Sequence, residues 1–154
     1  MWKESDSPVQ VLARSGLHSL EDVVPPAGVV AVARLNGAAM MNADRVFEQF
    51  SDALLFPSYF GWNWPALSEC LRDLSWLSAN RFLIVIDNAQ DVLLEDVSER
   101  EVFFNILVRA GRHWAESYDA ENRDSGPRFH AILLSDDQET ESLAMTAASR
   151  MGRA

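Results

Sequence analysis

The 154 residues suffice for one domain with its own core, and a hydrophobic fraction of 48% excludes a disordered polymer. A net charge of -10 argues against collecting nucleic-acid phosphate and would draw in a basic partner, although acidity also serves solubility alone. No apolar run approaches the roughly 18 residues that span a bilayer, Met1 to Asp6 lacks the basic start and apolar core of a secretory signal, and Cys70, the single cysteine, has no partner for an internal disulfide. A cytoplasmic protein is therefore expected.

Residues 1–28 read as an N-terminal extension, with Val9 to Leu12 as a short edge strand and Pro25-Pro26 stopping any helix. Val29 to Leu35 is an apolar run of strand length, ended by Asn36-Gly37. Asn42 is placed to cap a helix carrying Ala43, Val46, Phe47, Phe50 and Leu54 on one face. Pro57 ends that helix or follows its end.

Next comes the most informative stretch, an aromatic loop running through Tyr59, Phe60, Gly61, Trp62, Asn63 and Trp64 into a second helix. Asn63 is its expected N-cap, and Pro65 falls in the first turn, where a missing N–H does no harm. Leu67, Cys70, Leu71 and Leu74 make the inward stripe, while Pro65, Glu69, Arg72 and Asp73 point elsewhere. Loops run over the surface, so some of these rings face solvent. Phe60 and Trp64 are the two expected to cover the core instead.

Arg81 to Ile86 is a second strand whose unbroken apolar run predicts burial on both faces of a parallel sheet. Ala89 to Leu94 reads as a short helix. Asp87, Asp91, Glu95 and Asp96 read as a solvated acidic helical face, without the glycine and ligand spacing of a calcium loop. Ser98, with Glu101 three residues on, predicts a capping box for a long helix with Phe103, Ile106, Leu107, Ala110 and Trp114 inward. Tyr118 to Pro127 is polar and turn-rich, Phe129 to Leu134 is a third strand, and 137–154 reads as a partly helical tail. Apolar strands separated by helices predict an α/β fold: a small three-stranded parallel sheet packed with three to four helices, spanning 29–136.

Chemistry is sparse. Cys70 lies on an apolar helix stripe, and His18, His113 and His130 are scattered, so an inert buried thiol is favoured over a nucleophile. The same scatter argues against a zinc site. There is no glycine-rich phosphate loop or nucleophile elbow. The expectation is a non-enzyme without cofactor or metal.

The string Pro57-x-Tyr59-Phe60-Gly61-x-Asn63-x-x-Ala66-Leu67-x-Glu69-Cys70-Leu71 resembles the barstar family of intracellular ribonuclease inhibitors. The order of elements from Val29 to about Asp136 fits as well. The resemblance implies an inhibitor, antitoxin or immunity protein that lays this loop and helix across the active site of a basic ribonuclease. Carboxylates there stand in for RNA phosphate. Tyr59 matches the tyrosine that packs on the enzyme, Gly61 and Asn63 match the turn and cap, and Glu69 falls where the family places its central aspartate.

The departures are specific. Pro65 stands at an acidic position of the family and Ser68 at an aromatic one, and Arg109 falls near a further acidic contact. Trp62 and Trp64 are additions. The expected partner-binding set is thus Tyr59, Gly61, Trp62, Asn63, Pro65, Ser68, Glu69, Asp73 and Arg109. The alternative is a barstar-fold module that captures a different toxin or protein. Without the motif, Glu69 would read as an ordinary solvated helix residue. Exposed tryptophans are also compatible with a homodimer, which nothing in the sequence specifically indicates.

Overall fold

The computed structural model describes residues 9–12, 30–116 and 128–135. The remainder of the extension, with His18, the turn-rich 118–127 and the tail 137–154 lie outside the described residues.

Four strands form one all-parallel sheet: β1 (Val9–Leu12), β2 (Val30–Asn36), β3 (Arg81–Asp87) and β4 (Phe129–Leu134), in the order β1-β4-β3-β2. The three strands expected for the domain are present, and Val9–Leu12 adds itself at the β4 edge, pairing Val9 with Ala131 and Leu12 with Leu134. Register puts Ala31, Ala33 and Leu35 of β2 in line with Phe82, Ile84 and Ile86 of β3, and these with Phe129, Ala131 and Leu133 of β4. All nine pack in or against the main core cluster, on one face of the sheet, because side chains two apart share a face. The apolar runs of β3 and β4 are buried on both faces, Leu83, Val85 and Ile132 included. Edge strand β2 alternates instead, with Val32 and Arg34 exposed.

Three α-helices cover the core face: α1 (Ala43–Leu54), α2 (Trp64–Asp73) and α3 (Arg100–Glu116). Asn42 caps α1 by accepting a hydrogen bond from the Arg45 N–H at 3.0 Å. Leu55 closes α1 in the left-handed conformation, so Pro57 follows the helix rather than ending it. The inward stripe of α3 is as expected, and Phe104, Val108 and Gly111 are buried besides. Two indoles satisfy carbonyls near helix ends: Trp76 Nε1 donates to Leu54 O at 2.8 Å, and Trp114 Nε1 to Leu71 O at 2.9 Å.

The segment between β3 and α3 departs from expectation. Ala89 to Leu94 is not a helix of ordinary length: a three-residue 3-10 turn spans Ala89–Asp91, followed by turns. Ser98 does not head a long helix either, because it lies inside a second 3-10 turn, Val97–Glu99, that runs directly into α3 at Arg100. The acidic run is correspondingly no helical face. Asp87 ends β3 and binds Arg34 through two hydrogen bonds of 2.7 and 3.0 Å. The Glu95 and Asp96 carboxylates accept from Asn42 Nδ2 and the Ala43 N–H, both at 3.5 Å, beside the positive end of α1. Arg100, buried, ties this segment together by donating to the Val92 and Gln90 carbonyls at 2.9 and 2.8 Å.

Gly37 lets the β2 and β3 ends meet. A Cβ there would lie 2.1 Å from Asn88 O, a backbone atom that cannot turn aside.

Candidate functional site

The loop between α1 and α2 alternates its rings between core and water. Phe60 is buried, with its ring centroid 4.8 Å from Phe56 and 6.1 Å from Phe47. Trp64 packs edge-on against Phe47 at 4.8 Å and donates Nε1 to the Glu99 carboxylate at 3.2 Å. Tyr59 and Trp62 go the other way, with 71% and 51% of their surfaces exposed. Phe60 and Trp64 are thus the two core-covering rings, as the sequence predicts.

Asn63 fixes where the loop stops and α2 begins. Its Oδ1 accepts from the Ala66 N–H at 2.8 Å while its Nδ2 donates back to Gly61 O at 3.2 Å. A Cβ on Gly61 would sit 3.3 Å from Asn63 Nδ2, a tight contact that presses on the cap side chain. The left-handed residue of this turn is Trp62, at φ 55°. A bulky side chain in that region carries strain of about 1–2 kcal/mol. The Trp62 ring stands 5.6 Å from Phe60 and is half exposed to solvent.

Two grooves flank α2, and Glu69 lines both. The first, of about 270 Å3, lies toward the loop, between Tyr59, Gly61 and the α2 stripe Ala66, Glu69, Cys70 and Asp73. Its charged groups are two exposed carboxylates, Glu69 and Asp73. The Tyr59 hydroxyl titrates above its ordinary range, first because the groove partly withdraws it from water, then because Asp73, Cys70 and Glu69 oppose a phenolate. Burial also pushes the Cys70 thiol up, with Asp73 and Glu69 adding to the shift, so the group is held as thiol rather than nucleophile.

The second groove, of about 340 Å3, lies between α2 and α3. Pro65, Ser68 and Arg72 form its α2 wall, and Val102, Ile106 and Arg109 its α3 wall. Arg72 is tethered through Nε to Ser68 O at 3.2 Å. Arg109 is exposed and makes no hydrogen bond or ion pair among the described residues. Sequence reasoning named Pro65, Ser68 and Arg109 but passed over Arg72, Val102 and Ile106. The signal was available: Pro65, Ser68 and Arg72, and Val102, Ile106 and Arg109, are helix positions three and four apart.

All nine expected partner-binding residues therefore lie on the loop, α2 and the adjoining side of α3. Tyr59, Gly61, Glu69 and Asp73 meet at the first groove, and Pro65, Ser68 and Arg109 at the second, with Trp62 and Asn63 at the loop's turn. Among the described residues, no group of three histidines, cysteines or carboxylates is placed to hold a metal ion. No helix among them is long and apolar enough to cross a membrane. The arrangement sets two exposed rings, exposed charges of both signs and two clefts side by side.

A search of the curated proteins finds no match. The model of one protein family, described as Barstar (barnase inhibitor), matches residues 30–133, from the first residue of β2 nearly to the end of β4, and so includes the loop and both grooves. By that match, over more than half its length, the chain belongs to the Barstar family.

Proposed function

We propose that the chain is a barstar-type inhibitor, an antitoxin or immunity protein of the cytoplasm, that occludes the active site of a basic ribonuclease. The functional unit is 29–136, with 1–28 as an extension and 137–154 as a tail. The observation that carries this reading is the first groove: exposed Tyr59 beside the Glu69 and Asp73 carboxylates on a helix capped by Asn63. Glu69 then occupies the place of an RNA phosphate, Tyr59 and Trp62 pack on the enzyme around it, and Gly61 and Asn63 hold the loop in shape. Rigid aromatic anchors around a desolvated charge are the usual centre of a tight interface. The chain's acidity speeds the encounter with a basic partner. No covalent step is involved, in keeping with the buried, raised thiol of Cys70.

Isothermal calorimetry with a barnase-type ribonuclease tests the reading. One-to-one binding that weakens with salt, and weakens further on Tyr59→Ala or Glu69→Ala, is the expected result. Unchanged affinity in both variants would remove the interface assignment. The second reading is a module of the same fold with another protein target. It is favoured by Pro65, Ser68 and Arg109 along the second groove, positions where the family resemblance implies acidic and aromatic contacts. It predicts no effect on the barnase-type enzyme.

A further inference from the structure

We infer that the docking face is bipolar, and that its partner is a ribonuclease whose cleft is basic on one rim and acidic on the other. This rests on the proposed function and specifies the partner. Glu69 stands on a ridge with a carboxylate groove on one side and a two-arginine groove on the other. The stripe Ala66-Glu69-Cys70-Asp73 faces Tyr59, and the stripe Pro65-Ser68-Glu69-Arg72 faces α3. These stripes run along neighbouring flanks of one helix, so the charges that answer them on the partner stand roughly 10 Å apart, a helix width. A basic side chain fits between Glu69, Asp73 and the Tyr59 ring. A carboxylate fits over the second groove, where Arg109 is exposed and uncommitted among the described residues, and Arg72 spends only its Nε on Ser68 O. The floor suits a protein partner, because Val102 is 41% exposed and Ile106 lies beside it, giving an aliphatic contact beneath the charges.

RNA phosphate is a poorer occupant of the arginine groove. Glu69 borders the groove, and the whole chain carries a net charge of -10, so a polyanion is repelled on approach. A uniformly basic cleft is also poorly matched, since two arginines would face its cations, and like charges across an interface oppose binding.

The test uses the full chain, its Arg109→Ala and Arg109→Glu variants, and a barnase-type ribonuclease with a uniformly basic cleft, read by calorimetry. Arg109 is exposed, and thermal melting checks that each variant folds. The expected result is a graded tightening, with Arg109→Ala intermediate and Arg109→Glu about tenfold tighter than the parent. A variant of the enzyme whose rim cation facing α3 is replaced by glutamate reverses the order, favouring the parent. Parent binding that is unchanged or weakened by Arg109→Glu overturns the bipolar assignment and leaves the inhibitor reading standing. No binding of either enzyme by any of the three chains removes both. In a separate arm, fluorescence anisotropy with a labelled single-stranded RNA is expected to show no association. RNA binding that is lost in Arg109→Glu would assign the arginines to phosphate and overturn the proposal.

Discussion

The sheet and the loop before α2 treat the same kind of residue in opposite ways. In β3 and β4 every apolar side chain goes inside, down to 0% exposure for Leu83, Val85 and Ile132. In the loop, ring follows ring in alternation, with Tyr59 and Trp62 out and Phe60 in. Trp62 even adopts a left-handed backbone that a glycine would take without strain. The difference teaches that the inner strands put their apolar side chains into the core, while the loop divides its rings between core and solvent. The loop holds two rings largely in water, and the proposed partner is what would cover them.

Substitutions should therefore separate stability from binding, and the largest separation is expected at Glu69. Glu69→Ala removes an exposed helix carboxylate, so thermal melting should barely move. Ribonuclease affinity by calorimetry should fall by about 2–5 kcal/mol, the loss expected on truncating one partner of a charge pair desolvated at an interface. A large drop in melting temperature would instead make Glu69 a structural residue.

Gly37→Ala is the reverse case, far from the grooves. Its new methyl would meet Asn88 O, and overpacking of this kind costs about 3 kcal/mol. Urea unfolding measures that loss, while the fraction that remains folded should bind the ribonuclease with parental affinity. Altered affinity would couple the sheet to the interface and blur the comparison. Asn63→Ala removes the α2 cap and should cost about 1 kcal/mol in stability. Because the same side chain clamps Gly61, binding should weaken as well, so this position is expected to fail both assays.

Trp62→Gly sharpens the contrast most finely. It releases backbone strain of about 1–2 kcal/mol and gives up the contact with Phe60, so stability by urea unfolding should change by less than about 1 kcal/mol. Ribonuclease binding should nevertheless weaken; unaltered binding would show that the strained ring serves no partner. The smallest effect concerns Cys70. Its thiol ionises above the ordinary range, so at neutral pH it holds less thiolate than an unfolded chain does. Iodoacetamide should therefore modify the folded protein more slowly. The gap should narrow as pH rises toward the folded pKa. Fast modification of the folded protein at neutral pH would contradict the burial.

Much of this was legible in the residues. The runs from Val29, Arg81 and Phe129 announced strands of a parallel sheet, and Asn42 and Asn63 announced the caps of α1 and α2. What stayed hidden has identifiable physical reasons. Residues 89–99 have helical composition, but the Asn42 cap, the Ala43 N–H at the start of α1 and the buried Arg100 take up their polar groups, and the segment runs as 3-10 turns and loops. A sequence signals a left-handed turn through glycine, so Gly61 drew the eye although Trp62 holds the turn. The first groove was legible because Tyr59, Glu69 and Asp73 are close in sequence. The second was only half legible, because its walls are α2 and α3 and their meeting is set by packing.

The most direct test of the central claim is RNA cleavage by a barnase-type ribonuclease, titrated side by side with the parent chain and with Glu69→Ala. The account predicts inhibition by the parent that saturates as a one-to-one complex, and a curve shifted to much larger excess for Glu69→Ala. Full cleavage at micromolar excess of the parent, or equal inhibition by the two chains, would contradict it.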